Sequence, residues 1–327
     1  FVNPMEDPPI ASETSIRMST AGLGLLAMRQ PELIGRRVER RVLWDHLTRV
    51  AKRGRPVAIS LLGPPRIGRG RFQQWFSEAA EQSGQAVCVW VEAVPGRSLG
   101  RQVAKALRAW FRVGQLTASE GIEHVRSWLP DAAWVPPLVE MLRSLVPPPG
   151  WEELVADTLA ALGEVRPLIL QLRGVGEHPE VQALVDAVLS RRRAAVVMVL
   201  DAGVKGSDRL ELRPLDDASM TRLADALVAL APTVRANLVR RSAGSPGYLV
   251  HTLQHWARSG QLIPDPRGFR FEGDLDQVPP ALAIVANSSF QALERAIDDD
   301  AMLALAVAVV LGQTVDLPIW EAVDGQD

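Results

Sequence analysis

PVAISLLGPPRIGRGRFQQWF, residues 56–76, changes character twice along its length. Val57–Leu62 is an apolar run with the composition of a short, buried parallel strand. Gly63, Pro64, Pro65, Ile67, Gly68 and Gly70 then break it into a loop. From Arg71 onward the pattern is helical, with Phe72, Trp75 and Phe76 on one face. Strand, glycine-rich loop and helix in this order form the architecture of a phosphate-binding loop, in which Gly, four residues, Gly, Lys and Ser or Thr follow one another. Gly63 and Gly68 keep that spacing, but Arg69 and Gly70 stand where Lys and the hydroxyl belong. In such a loop, backbone N–H groups and a helix N-terminus hold the phosphates. Lysine adds a compact charge and the hydroxyl binds magnesium. Arginine is a longer planar fork that does not replace an ammonium freely, and glycine offers no ligand. The expectation is a loop that keeps its shape without its metal chemistry; the alternative is an ordinary strand-to-helix turn.

The 327 residues suit two domains, or one with an appendage. A composition 47% hydrophobic and 23% charged predicts a globular chain. The net charge of -2 and pI of about 6.3 make no electrostatic case for nucleic acid. The single cysteine, Cys88, lies in the apolar run 86–91 and is expected to be a buried thiol; without a disulfide framework, a reducing, cytoplasmic compartment is expected. The five His and one Cys show no zinc-ligand spacing, so no metal is expected. No apolar run reaches the length of a membrane span, and no signal peptide is visible. Because the first residue is Phe1, the expectation is a piece of a longer polypeptide.

Residues 1–30, with Pro4, Pro8, Pro9 and a Ser/Thr cluster, read as a linker. Val38, Val42, Leu43, Leu47 and Val50 predict a helix preceded by Gly35 and Arg36. Further strands are expected at 86–91, 167–172, 194–200 and 210–212, and helices at 97–113, 122–129, 138–145, 151–162 and 181–189. Pro130 and Pro136-Pro137 are expected to break the helices between them, and Asp216 or Asp217 to cap the next one. Apolar strands alternating with helices predict an α/β fold: a P-loop NTPase-like parallel sheet covered by helices, over residues 31–215. A smaller helical domain, lid-like, is expected over 216–280, with helices at 220–230, 232–243 and 248–260 and a hairpin at 262–271. Helices return over 281–327.

This order of pieces resembles the AAA-type module of the STAND class of signal-transduction ATPases, found in bacterial regulators and beside serine/threonine kinase domains. Leu33–Arg40 (LIGRRVER) is similar to the family's Gly-Arg-Glu motif near the adenine, with Arg37 in place of Glu. Gly63–Gly70 stands in the phosphate-loop place, and Arg166–Pro179 in that of the second motif. Leu210–Leu227 looks like the strand that leads into a Pro-Leu and a helix. Arg241–Leu253 resembles the Gly-x-Pro segment over the base, through Gly244 and Pro246, and Val310–Val323 the start of a winged helix. The resemblance implies that any nucleotide, ATP or ADP, would meet Gly35, Arg36, Gly63, Gly68, Arg69, Gly70, Gly244 and Pro246.

The family's chemistry does not transfer residue by residue. Its second motif ends in two acids, where Arg173 and Gly174 stand here, with Glu177 and His178 beyond. Asp201, Ala202 and Gly203 replace the arginine expected after the fourth strand. At about 4 Å and an effective dielectric of 20, a unit pair is worth about 4 kcal/mol. An arginine in place of a carboxylate therefore repels magnesium by at least that order, whereas a helix terminus supplies about 2 kcal/mol at most. Arg66, Arg69, Arg71 and Arg173 could still hold phosphates without metal. The leading expectation is a catalytically inactive module, a regulatory or protein-interaction scaffold without a cofactor, whose partner is a protein or a neighbouring domain. An ATP/ADP-binding switch with little hydrolysis and a DNA-binding regulator are the alternatives. Arg191–Arg193 is expected to be a solvated helix end, His251 and His255 to be packed or surface histidines, the nine Trp to be core, and Asp298–Asp300 a loop or helix start.

Overall fold

In a computed structural model, the structure describes residues 31–273 apart from 95, 131, 177 and 267. The expected linker 1–30, the helices and winged-helix-like segment of 281–327, Asp298–Asp300 and Glu177 lie outside the described residues.

Five strands form one parallel sheet in the order β2-β3-β4-β1-β5. They are β1 (Val57–Leu62), β2 (Val87–Glu92), β3 (Leu168–Arg173), β4 (Val196–Leu200) and β5 (Asp208–Glu211). β1, β3 and β4 carry the runs VAISLL, LILQLR and VVMVL, mostly apolar and buried on both faces because both faces are covered. On one side pack α1 (Arg37–Arg53) and α2 (Arg69–Gln82), through Leu43, Leu47, Phe72 and Phe76. On the other lie α3 (Leu99–Phe111), α4 (Ala118–Arg126), α5 (Val135–Ser144), α6 (Trp151–Val165) and α7 (Glu180–Leu189). The α/β architecture is therefore the one the sequence predicts.

A third cluster of buried residues belongs to α8 (Asp217–Leu227), α9 (Pro232–Ser242), α10 (Pro246–Arg258) and the antiparallel pair β6 (Leu262–Asp265) and β7 (Gly268–Phe271). Ile34, from the segment before α1, is part of it. The Asp216 carboxylate accepts from the Ser219 N–H at 2.7 Å and caps α8, as its sequence position predicts.

Several expectations need correction. Pro136 and Pro137 do not end a helix; they occupy the first turn of α5, where a missing N–H costs nothing. The strand expected at 194–200 begins at Val196, and Arg173 is the last residue of β3 rather than part of the following loop. Arg191 is not merely solvated: its Nε donates to Asp157 at 2.8 Å and its Nη2 to Glu153 at 2.7 Å, which ties the end of α7 to α6. The tryptophans are not uniformly core. Trp151 and Trp256 are buried, but Trp128 is 50% exposed, and Trp90 is 37% exposed because β2 is a sheet edge.

Cys88 is buried on β2, and burial pushes its thiol up to about 12. The unfolded thiol, near 9.0, ionises first, so Cys88 lowers stability as pH rises from there toward the folded value. At pH 8, iodoacetamide labelling of Cys88 should follow the urea unfolding curve and be negligible in the native protein. Gly163 of α6 lies against the residue before β4: a Cβ there would meet the Ala195 backbone nitrogen at 2.9 Å. Gly163→Val should therefore cost about 2 kcal/mol, read from the urea midpoint.

Candidate functional site

The carboxyl ends of β1, β3 and β4 point to one edge of the sheet, where open α/β sheets place their ligands. From them run Gly63, Gly174 and Asp201. Gly63 leaves β1 with φ 137°, and a Cβ would meet the Leu212 carbonyl oxygen at 2.7 Å, so only glycine fits. The loop closes on Gly68 (φ 96°), the N-cap of α2, which carries no side-chain cap. The phosphate-loop shape expected from the spacing is present.

Of the eight residues expected from the sequence, Gly63, Gly68, Arg69 and Gly70 belong to the loop and the start of α2, Arg36 and Pro246 touch it, and Gly35 and Gly244 lie against the segment 214–219. Arg36 has a strained conformation, left-handed at φ 60° and ψ 33°, and is 7% exposed. Its Nη2 donates to the Ile67 carbonyl at 2.8 Å and its Nη1 to the Arg213 carbonyl at 3.0 Å, with Glu39 at 3.5 Å. Burial lowers its pKa, and Glu39 opposes that shift. Gly35 sits against Ser219 and Leu215 of the segment leading into α8. Gly244 lies against Leu215, whose N–H donates to the Gly244 carbonyl at 2.9 Å. Pro246 Cγ lies 3.4 Å from the Cβ position of Gly68. Beside it, the Gly247 N–H donates to the Arg66 carbonyl at 3.0 Å, and the Ser245 hydroxyl reaches the same oxygen at 3.4 Å. The N-terminus of α10 is thus docked directly on the loop.

The four arginines considered as phosphate ligands have different fates. Arg69 Nη1 donates to the Asp201 carbonyl at 2.9 Å. Arg71 donates to the Pro31 carbonyl at 3.2 Å and to Glu78 at 3.3 Å. Arg66, itself left-handed at φ 65°, stands near His251; burial first, then Arg66 and Arg258, lower the pKa of that histidine. Arg173 remains over the loop: its Nη2 lies 2.7 Å from where a Cβ of Gly70 would be. It also lines a cleft of about 380 Å³ with Gln74, Ser77, Glu78, Glu81 and Trp90.

Asp201 was noted in the sequence only as the absence of an arginine. Its carboxylate accepts from the Gly174 N–H at 2.7 Å and the Val175 N–H at 3.2 Å, so the acid at the end of β4 caps the turn after β3. Gln73, Ser77 and Gln171 were not singled out either. Gln73 Nε2 donates to the Val199 carbonyl at 3.2 Å, and Gln171 Nε2 to the Ser77 hydroxyl at 2.9 Å, fastening α2 to the sheet below the loop. The signal available was a glutamine inside the apolar run LILQL.

The group nearest the Gly70 position is the Arg173 guanidinium, which repels a divalent ion rather than ligating it. Among the described residues no cluster of three or more His, Cys, Asp or Glu could hold a metal. His251 and His255 both lie on α10, His251 exposed and His255 half-buried. Truncating Arg36 to Ala should leave the Ile67 and Arg213 carbonyls without their donor. The expected loss is about 2 kcal/mol, read as a lower urea midpoint with unchanged far-UV circular dichroism.

No protein-family model and no curated protein matches the chain. Solved structures do. The Aeropyrum pernix ORC1 protein in complex with DNA superposes with a TM-score of 0.51 and 14% identity, over 93% of this chain and 80% of its own. The ADP form of the Aeropyrum pernix ORC2 protein gives 0.47 and 15%, over 90% and 80%. Drosophila ORC bound to DNA gives 0.47 and 12%, over 94% and 77%. At such identities the likeness concerns the fold alone, and the first superposition carries it: the chain has an AAA-like, P-loop NTPase fold.

Proposed function

We propose that the chain is a catalytically inactive AAA-like module, a pseudo-ATPase of the STAND type that serves a larger bacterial signalling protein as a regulatory or protein-interaction scaffold. The observation that carries this reading is the Arg173 guanidinium over Gly70, where the fold would need a hydroxyl and magnesium. Two further features support it. Arg69, in the lysine position, is turned to the Asp201 carbonyl, and Asp201 spends its carboxylate on backbone N–H groups. A unit charge pair at about 4 Å is worth about 4 kcal/mol at an effective dielectric of 20, so Arg173 opposes a divalent ion by at least that order. The module then works through its surface, in a cytoplasmic setting, on a protein or a neighbouring domain.

A second reading has one observation in its favour. The α2 N-terminus has no side-chain cap, and Arg173 adds a cation beside it. That combination suits an anion held without metal, as in an ATP- or ADP-binding switch with little turnover. A DNA-binding role has less support: the net charge is -2, and the winged-helix-like segment lies outside the described residues.

Thermal melts separate these readings. With millimolar Mg-ATP, the scaffold reading expects a midpoint shift below about 1 °C and no phosphate release. A rise of several degrees with ATP in EDTA, lost in Arg173→Ala, would replace it by the metal-free switch. Magnesium-dependent phosphate release abolished by Arg69→Ala would defeat both.

A further inference from the structure

The helix α3 carries a second surface, remote in sequence from the loop. From Ala93 to Ser119 the sequence contains Arg97, Arg101, Lys105, Arg108 and Arg112 and no Asp or Glu, although the whole chain has a net charge of -2. Spacings of four and three residues put Arg101, Lys105 and Arg108 on one flank of the helix, with Arg97 just before its N-cap and Arg112 at its C-cap. The opposite flank buries Leu99, Val103, Leu107 and Phe111. Within the helix, from Arg101 to Arg108, the row runs about 10 Å at about 1.5 Å per residue. Among the described residues none of the five forms an ion pair; Arg108 alone is tied, to the carbonyls of Arg143 (3.3 Å) and Gly114 (2.9 Å). The nearby Glu180 carboxylate is occupied by the Leu99 and Gly100 N–H groups at 2.5 and 3.3 Å.

This row borders a cleft. Arg97, Arg101, Gln102, Lys105 and Leu145 enclose about 230 Å³ between α3 and the end of α5. Leu145 supplies an apolar wall, and the next residue, Val146, is 65% exposed. Cations with an apolar anchor point beside them match a short acidic segment that carries a hydrophobic side chain.

We propose that the α3 face is the docking surface for an acidic, leucine-bearing segment of a partner protein. Its carboxylates lie along Arg97, Arg101 and Lys105, and an apolar side chain enters the cleft at Leu145. The proposal deepens the scaffold reading and rests on it for the class of partner. The extent of the row, not its sign, selects a protein segment over nucleic acid. The row is short, and beyond it α4 presents Glu120 and Glu123, which would repel a longer polyanion. Rim charges of this kind set the association rate and the salt dependence more than the affinity.

The test uses the intact chain and a fluorescent peptide of about fifteen residues, about 22 Å when helical, built from Glu with two Leu. Saturable binding that weakens with salt is expected. The double reversal Arg101→Glu with Lys105→Glu should weaken it about tenfold or more. On the unaltered protein, a peptide with Gln for Glu should lose binding, and one with Ser for Leu should bind several-fold more weakly. No saturable binding, equal binding by the reversal variant, or tighter binding of a single-stranded oligonucleotide of equal charge would overturn the proposal. The neutral variant Arg101→Gln with Lys105→Gln, checked by circular dichroism, covers any misfolding of the reversal. Peptide binding together with Mg-ATP hydrolysis would defeat the scaffold reading and leave this surface standing. No peptide binding and no response to nucleotide would do the reverse.

Discussion

Arg36 holds the loop from behind. A guanidinium this deeply buried costs free energy unless its N–H groups are bonded, and here they are bonded mainly to backbone carbonyls, at Ile67 in the loop and Arg213 beyond β5. One side chain thus links the segment before α1, the loop after β1 and the strand-to-helix connection that leads to α8. Its left-handed backbone is a cost that these bonds must offset. Ile34, two residues earlier, enters the core of the helical region, so the same short segment joins both halves of the molecule.

With the loop fixed in this way, α10 can sit directly on it. The Gly247 N–H and the Ser245 hydroxyl both reach the Arg66 carbonyl, and Pro246 packs on Gly68. The resemblance places these residues around a bound base; in this structure their polar groups meet the loop itself. The charges at the loop's mouth follow the same trend. Arg69 is drawn to a carbonyl, Asp201 faces backbone amides, and Arg173 leaves a cation beside the positive end of α2. Each departure from the motif has a definite internal partner or place, and contacts within the chain hold the loop's shape.

The molecule also separates its charges. An acidic chain concentrates cations on the flank of α3, while Arg71, Arg191 and Arg235 are paired with carboxylates elsewhere. Gln73 and Gln171 join α2 to β4 and β3 through their amide N–H groups. These bonds set how α2 lies on the sheet, and with it where Arg69 and Gly70 are presented.

By itself the sequence determined the elements and their order. Apolar runs such as VAISLL and VVMVL have few other fates than buried parallel strands, and the Gly63–Gly68 spacing is a local backbone property. It also shows Arg69 and Gly70 where the motif has Lys and a hydroxyl, because residue identity is legible at once. Tertiary structure alone decided where the charges went. Nothing local says that Asp201 caps Gly174, that Arg191 bridges to α6, or that Arg173 rather than Arg66 or Arg71 lies over Gly70. Long charged side chains reach several ångströms in many directions, and their partners come from strand ends far apart in sequence, so only the packed sheet brings those pairs within bonding distance.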